Sequence, residues 1–375
     1  MYYKNAKIYT EGFRFETGAF SVEAGRFAQV LPESAPADAM DLEGAYVIPG
    51  LVDVHNHGNS GRDFSDGDDE GLRAMAAYLG RCGVTSFAPA SMTLPYDVLS
   101  KAFGTAKRLK EEAPTGLARL MGIQMEGPFF SEKKKGAQNG AYLRDPDFEA
   151  FQALEEGCGG LIRIVDVAPE LPGSVEFIEK AKALCTVSVA HTDASYDEAK
   201  AAFDAGATHV THLYNAMPGI HHRKPGVIPA AAEHEGVRAE LICDGLHVHP
   251  ASVRLAFRMF GADRMVLISD ALRCCGMPDG EYELGGQQVF LSGGVARLAD
   301  GTIAGSATNL FDCMRHAISF GIAPEDAIRA ASWNPACALG VQGEVGSIAP
   351  GKWADFVVCH PDFTRKQVYI GGQPV

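Results

Sequence analysis

The sequence has no uninterrupted apolar run of the roughly 18 residues that a membrane helix needs, and MYYKNAKIYTEGFRFE contains no apolar core of signal-peptide length. Cytoplasmic residence is the expectation. A CxxC pair is also missing: the nine cysteines form an odd, scattered set that fits a reducing compartment and reads as small buried apolar residues. Excess positive charge is missing too. With 33 Lys and Arg against 47 Asp and Glu, the net charge of −14 argues against a nucleic-acid or anionic-membrane partner, both of which select basic surfaces. A small anionic substrate remains open, because screening over about 8 Å lets a local basic cluster outweigh distant carboxylates.

What is present is a globular composition, 46 % apolar and 21 % charged, in 375 residues. That length suits one α/β barrel of about 250 residues with a smaller companion. Eight short β-rich apolar runs punctuate the middle of the chain: LVDVHNH (51–57), VTSFAPAS (84–91), LMGIQME (120–126), IRIVDVAPE (162–170), TVSVAHT (186–192), HVTHLYN (209–215), AELICDG (239–245) and MVLISDA (265–271). Near-continuous apolar runs are what strands buried on both faces look like. Between them lie helical patterns: Ser174 is a cap candidate for a stripe of Phe177, Ile178, Ala181 and Leu184, and Ser195 and Gly206 bracket another helix.

Alternating strand and helix signals predict right-handed βα units, in a closed (β/α)8 barrel or a doubly wound sheet. The barrel is favoured because His55, Glu126, His191, His212, Asp244 and Asp270 each fall at the end of a run, where a barrel's strands converge on one site. Residues 1–48 and 344–375 carry further strand-like stretches and predict a small β-sandwich domain built from both termini, with 49–343 as the barrel domain. Residues 279–304 alternate around Gly pairs and read as a β-hairpin insertion.

His55 and His57 are two apart, so on an extended segment both imidazoles point to one side and can chelate one ion. His191 and His212 lie one βα unit apart, and neutral imidazole is a favoured ligand for zinc and its neighbours. Each residue alone has an ordinary structural reading. Four histidines and Glu126 at the ends of four separate strands point together to a divalent metal, zinc, iron, manganese or cobalt, in one or two copies. His209, earlier in its run, reads as structural. Asp270, at the end of the last run, reads as a further metal ligand, a helix cap or the carboxylate that moves protons during amide hydrolysis, and a divalent cation lowers the pKa of bound water towards about 7. The basic cluster His221, His222, Arg223 and Lys224 lies in a Gly- and Pro-rich loop where an anionic substrate tail can be held. His247 is assigned to substrate contact with Asp244 beside it, and His249 to the surface.

These stretches resemble the amidohydrolase superfamily and, within it, the N-acetylglucosamine-6-phosphate deacetylases. The resemblance rests on PGLVDVHNHG (49–58), MEGPFF (125–130), AHTDAS (190–195), THLYNAMPGIHHRKPG (211–226), DGLHVHP (244–250), SDA (269–271), DGTIAGSA (300–307) and PGKWADFVV (350–358). It implies metal ligation by Glu126, His191 and His212, a second metal position using His55 and His57, and Asp270 as acid and base. It implies substrate contacts from Ala137, Asn215, Ala216 and His247 and from the backbone of Ile303, Ala304 and Gly305, with Arg223 on the 6-phosphate across a homodimer interface. The expected reaction turns a phosphorylated amino sugar, N-acetylglucosamine 6-phosphate, into glucosamine 6-phosphate and acetate. Where some relatives carry a carbonyl-polarising histidine, KGAQNG has Gln138, which is counted with the substrate contacts, as is Asp244, and a second metal is expected to supply much of that polarisation.

Overall fold

The computed structural model describes residues 1–375. Eight parallel strands occupy the centre, one in each apolar run: β1 (Leu51–Asn56), β2 (Val84–Pro89), β3 (Ile123–Met125), β4 (Ile162–Val167), β5 (Thr186–Val189), β6 (His209–Val210), β7 (Arg238–Ile242) and β8 (Met265–Ile268). From β3 to β8 each pairs with its sequence neighbour, and β1 pairs with β2. Bridges Ala90–Gln124 and Asn56–Ala271 join the two arcs, and the Asp270 amide donates to the His55 carbonyl at 2.9 Å, so the ring is closed. No residue of β1, β2 or β8 is exposed, which is why these strands show continuous rather than alternating apolarity.

A helix follows every strand: α1 (Asp69–Arg81), α2 (Tyr96–Glu112), α3 (Phe148–Gly157), α4 (Ser174–Ala181), α5 (Tyr196–Ala205), α6 (Val227–Glu233), α7 (Pro250–Phe260) and α8 (Leu310–Ser319). At α5, Ser195 and Glu198 form a reciprocal capping box and Gly206 follows the last turn. The start of α4 departs from expectation. Gly173 is the cap, with φ 81°, and Ser174 is already helical, its hydroxyl donating instead to the Ala168 carbonyl at 2.8 Å to pin the preceding loop. Leu184 lies beyond the end of this helix and is 43 % exposed, because the chain must turn there to enter β5.

Strands from both ends of the chain share one eight-stranded sheet, joined where Tyr46–Pro49 runs antiparallel to Phe356–Cys359. It wraps its own core, separate from the barrel's, in which Phe356 stacks on Tyr369 at 4.4 Å and meets Phe20 edge-on at 5.1 Å. Between β8 and α8, the strands Gly280–Leu284, Gln287–Ser292 and Val295–Leu298 form an antiparallel sheet. Gln287 Nε2 donates to the Ala137 carbonyl at 2.5 Å and ties this sheet to the rim loop after β3. No helix is long and apolar enough to cross a membrane.

Candidate active site and metal centre

The rim residues converge because their backbones turn inward at the strand ends. His191, His212 and Asp270 have φ of 43°, 31° and 48°, a left-handed conformation that non-glycine residues adopt at a cost of roughly 1–3 kcal/mol. Close approach demands small neighbours. A Cβ on Gly305 would fall 2.5 Å from the Asp270 carbonyl oxygen, so this glycine lets the 301–306 loop lie against the end of β8. Gly301, by contrast, sits in open space at φ 88° and serves the turn.

Glu126 is the hub. Its Oε1 lies 3.1 Å from His191 Nε2 and 3.2 Å from His212 Nε2, and its Oε2 lies 3.3 Å from His57 Nε2. The two sets His55–His57–Glu126 and Glu126–His191–His212 each bring three ligand atoms together, and Glu126 belongs to both. All five side chains are buried. Asp270 Oδ1 stands 3.3 Å from His57 Nε2, beside both sets.

The tautomers show what this cluster is built to hold. His191 Nδ1 faces the Lys134 carbonyl at 2.9 Å and His55 Nδ1 faces the Glu240 carboxylate at 3.0 Å, so each Nδ1 bears a proton and each Nε2 offers a lone pair inward. Those lone pairs meet other electron-rich atoms: His191 Nε2 is 3.1 Å from His212 Nε2, and His55 Nε2 is 3.3 Å from His57 Nε2. Inward-facing donors at such distances suit a cation among them, and the imidazole–carboxylate set fits a divalent metal. Burial alone would push the Glu126 carboxyl up; positive charge at His55 and Nε2–H donation by His191 and His212, the role a cation takes over when those nitrogens turn their lone pairs to it, hold it well below the usual range. For Asp270 burial is likewise outweighed, here by the hydrogen bond to His57 and the surrounding imidazole charge, and its carboxyl is held low.

Above the cluster opens a cavity of about 220 Å³. Ala137, Gln138, Asn215, Ala216 and His247 line it with Ile303, Ala304 and Gly305, as do His57, Glu126, His191, His212 and Asp270 from the cluster below. His55 lies beneath it and Asp244 behind His247. Arg223 stays outside: it is exposed, its Nη1 donating to His222 Nε2 at 2.6 Å in the loop that the sequence marked as basic.

Gln138 is more than a pocket wall. Its Oε1 accepts from the Thr93 amide at 2.7 Å and its Nε2 donates to Glu126 Oε2 at 2.6 Å, so it fixes the rotation of the shared carboxylate. Sequence reading also missed the apolar walls Met92, Leu272 and Leu284, which carry no chemical signature. It missed Glu240, whose signal was a carboxylate set between Ala239 and Leu241 in the buried part of β7. Glu240 is fully buried and receives His55 Nδ1, His209 Nε2 at 3.1 Å and the His212 amide at 3.2 Å. His209 is therefore structural, and His249 caps α7 through the Ala251 amide.

His247 is held at both ring nitrogens, Nδ1 by Asp244 at 2.6 Å and Nε2 by the Ala304 carbonyl at 2.8 Å. Both partners accept, so the ring donates twice and is charged. Burial opposes that charge, but the Asp244 hydrogen bond and charge prevail and raise its pKa, while Asp244 is held low. The stabilisation from the charged ring is full below about pH 6.5 and is lost as pH rises through the raised value; that from Asp244 is present above about pH 3.9 and is lost as pH falls through the lowered one. In an NMR titration the His247 ring is expected to titrate above the ordinary histidine value, and Asp244→Asn to bring it back to or below that value. A ring titrating normally in the parent protein would contradict the doubly donating arrangement.

A closed (β/α)8 barrel with histidine and carboxylate ligands gathered at its C-terminal rim defines the class of metal-dependent barrel hydrolases. The model of the Amidohydrolase family matches residues 46–375, and the chain belongs to that family. It is 38 % identical to the N-acetylglucosamine-6-phosphate deacetylase of Bacillus subtilis, over 96 % of this chain and 93 % of that protein. It is 36 % identical to an N-acetylgalactosamine-6-phosphate deacetylase of Escherichia coli, over 91 % of this chain and 90 % of the relative. A mutant N-acetyl-D-glucosamine-6-phosphate deacetylase from Mycobacterium smegmatis, solved in complex with N-acetyl-D-glucosamine-6-phosphate, superposes with a TM-score of 0.93 at 33 % identity, covering 100 % of this chain and 98 % of that one.

Proposed function

We infer that the chain hydrolyses the N-acetyl group of N-acetylglucosamine 6-phosphate, releasing glucosamine 6-phosphate and acetate in amino-sugar catabolism. The observation that carries this reading is the Glu126-centred cluster forming the floor of a cavity of about 220 Å³ beside a buried carboxylate, Asp270. Glu126, His191 and His212 hold a divalent cation, and His55 and His57 with Glu126 offer a second position. Bound there, the metal supplies Lewis acidity that polarises the acetyl carbonyl and acidifies water.

Asp270 takes the proton of the attacking water and returns it to the leaving nitrogen. Gln138 keeps Glu126 in register, and the Gly305 loop with His247 presents the sugar. Arg223, exposed and outside the lining of its own cavity, binds the 6-phosphate in the partner subunit of a homodimer, where its planar guanidinium can pair two phosphate oxygens. Residues 49–343 carry the chemistry, while 1–48 and 344–375 form the small β domain beneath. The imidazole-rich donor set favours zinc. The nine unpaired cysteines support cytoplasmic residence.

Assays on a panel of acetylated hexosamines test the substrate. Acetate release is expected from N-acetylglucosamine 6-phosphate, with kcat/KM lower by at least about 10-fold for the unphosphorylated sugar, the cost of losing one charged hydrogen-bonded contact. A preference for N-acetylgalactosamine 6-phosphate would move the assignment to its epimer, which the Escherichia coli relative makes the second reading. Metal analysis tests the paired site: the protein is expected to bind two ions per chain, and His57→Ala to lose one of them with most of its activity. A single tightly bound ion with full activity in that variant would remove the second position.

A further inference from the structure

We propose that Glu240 is a positioning residue of the metal site, a buried carboxylate that fixes the tautomer of His55 and ties it to the backbone of His212; the proposal rests on the metal reading above. The carboxylate stands in β7, below the rim, with none of its surface exposed. Its Oε2 receives His55 Nδ1 at 3.0 Å from β1 and the His212 amide at 3.2 Å from the end of β6. Its Oε1 receives His209 Nε2 at 3.1 Å. One side chain thus links both ligand sets from below, while Glu126 links them from within.

A purely structural reading fits poorly. Barrel interiors are filled mainly by branched apolar side chains, and a full charge buried there is costly unless it is paired. Glu240 has no Lys or Arg partner; its only ion-pair neighbours are His55 and His209. The carboxylate therefore makes sense as an acceptor for imidazole N–H. With Nδ1–H directed at Glu240, His55 can offer only Nε2 upward, and the negative charge behind the ring makes that nitrogen a better donor to a cation. His57 and His212 show the contrast, since their buried Nδ1 atoms have no partner. The backbone bond at His212 adds a second effect: it braces a residue at φ 31°, whose left-handed turn aims its ring into the cluster.

The test is zinc(II) calorimetry on chelator-stripped full-length protein, comparing the parent, Glu240→Gln, His55→Ala and the double variant. Glu240→Gln is expected to weaken, by roughly 10–100-fold, the zinc equivalent that His55→Ala also weakens, the range measured for outer partners of metal ligands. In the His55→Ala background the same substitution should add less than about twofold, because an effect exerted through His55 has nothing left to act on. Equal factors in both backgrounds, or parent-like affinity in Glu240→Gln, would overturn the proposal. A parent protein that binds no zinc would instead overturn the metal reading itself. If Glu240→Gln does not fold, the zinc-loaded parent still decides. Long-range 1H–15N correlation, with the ring assigned by its absence in His55→Ala, should show His55 protonated at Nδ1 only, and an Nε2–H tautomer would refute the positioning role.

Discussion

Replacing Asp270 by Asn is expected to lower kcat by about 10²–10⁴-fold, the usual worth of a positioned acid–base group, with a much smaller change in KM. The substitution isolates chemistry from folding. Asp270 sits at φ 48°, and Asn is one of the few residues that tolerate that conformation. The backbone bonds that hold it, its amide to His55 at 2.9 Å and its carbonyl from Ser306 at 2.7 Å, do not involve the side chain. What is lost is a carboxylate that the surrounding imidazoles keep ionised and able to accept a proton. Steady-state kinetics beside thermal unfolding of the stripped protein check this. Near-normal turnover would remove Asp270 from the mechanism, and Asp270→Ala, which strains the same backbone, would not give so clean a result.

Glu126→Gln should be more severe for the metal. Gln138 Nε2 donates to Glu126 Oε2 at 2.6 Å, so an amide placed there must turn its oxygen towards Gln138. Its NH2 group then faces His191 and His212, where Oε1 now stands at 3.1 and 3.2 Å and where a ligand lone pair is required. Both ligand sets lose their shared anion at once. Metal affinity is expected to fall by more than the roughly 10–100-fold that an outer partner is worth, and activity with it. Metal content after dialysis is the direct measurement; retention of the parent's content would show that Glu126 is not the hub. Asp at this position, charged but one methylene short, should recover part of the binding at one of the two sets only.

Much of this architecture was legible in the chain. Strands buried on both faces are mostly apolar, so the eight runs announced themselves, and polar residues gathered at their ends pointed to strands that share one rim. His55 and His57 were readable for the same reason, since a spacing of two fixes a common side of an extended segment. The start of α4 was less legible because Ser174 has the right chemistry for a cap but is taken up by the Ala168 carbonyl.

The sequence by itself determined the fold class and the kinds of side chain gathered at the rim, because periodicity and residue chemistry are local properties carried by each segment. Only the tertiary structure decided which atoms meet. That Glu126 belongs to both ligand sets, that Gln138 locks its rotation and that Glu240 stands beneath His55 all depend on strands far apart in the chain being brought side by side. His55 and Glu240 are 185 residues apart and 3.0 Å from contact atom to contact atom. No spacing rule spans that separation, because the closure of the barrel, not the local chain, sets the distance.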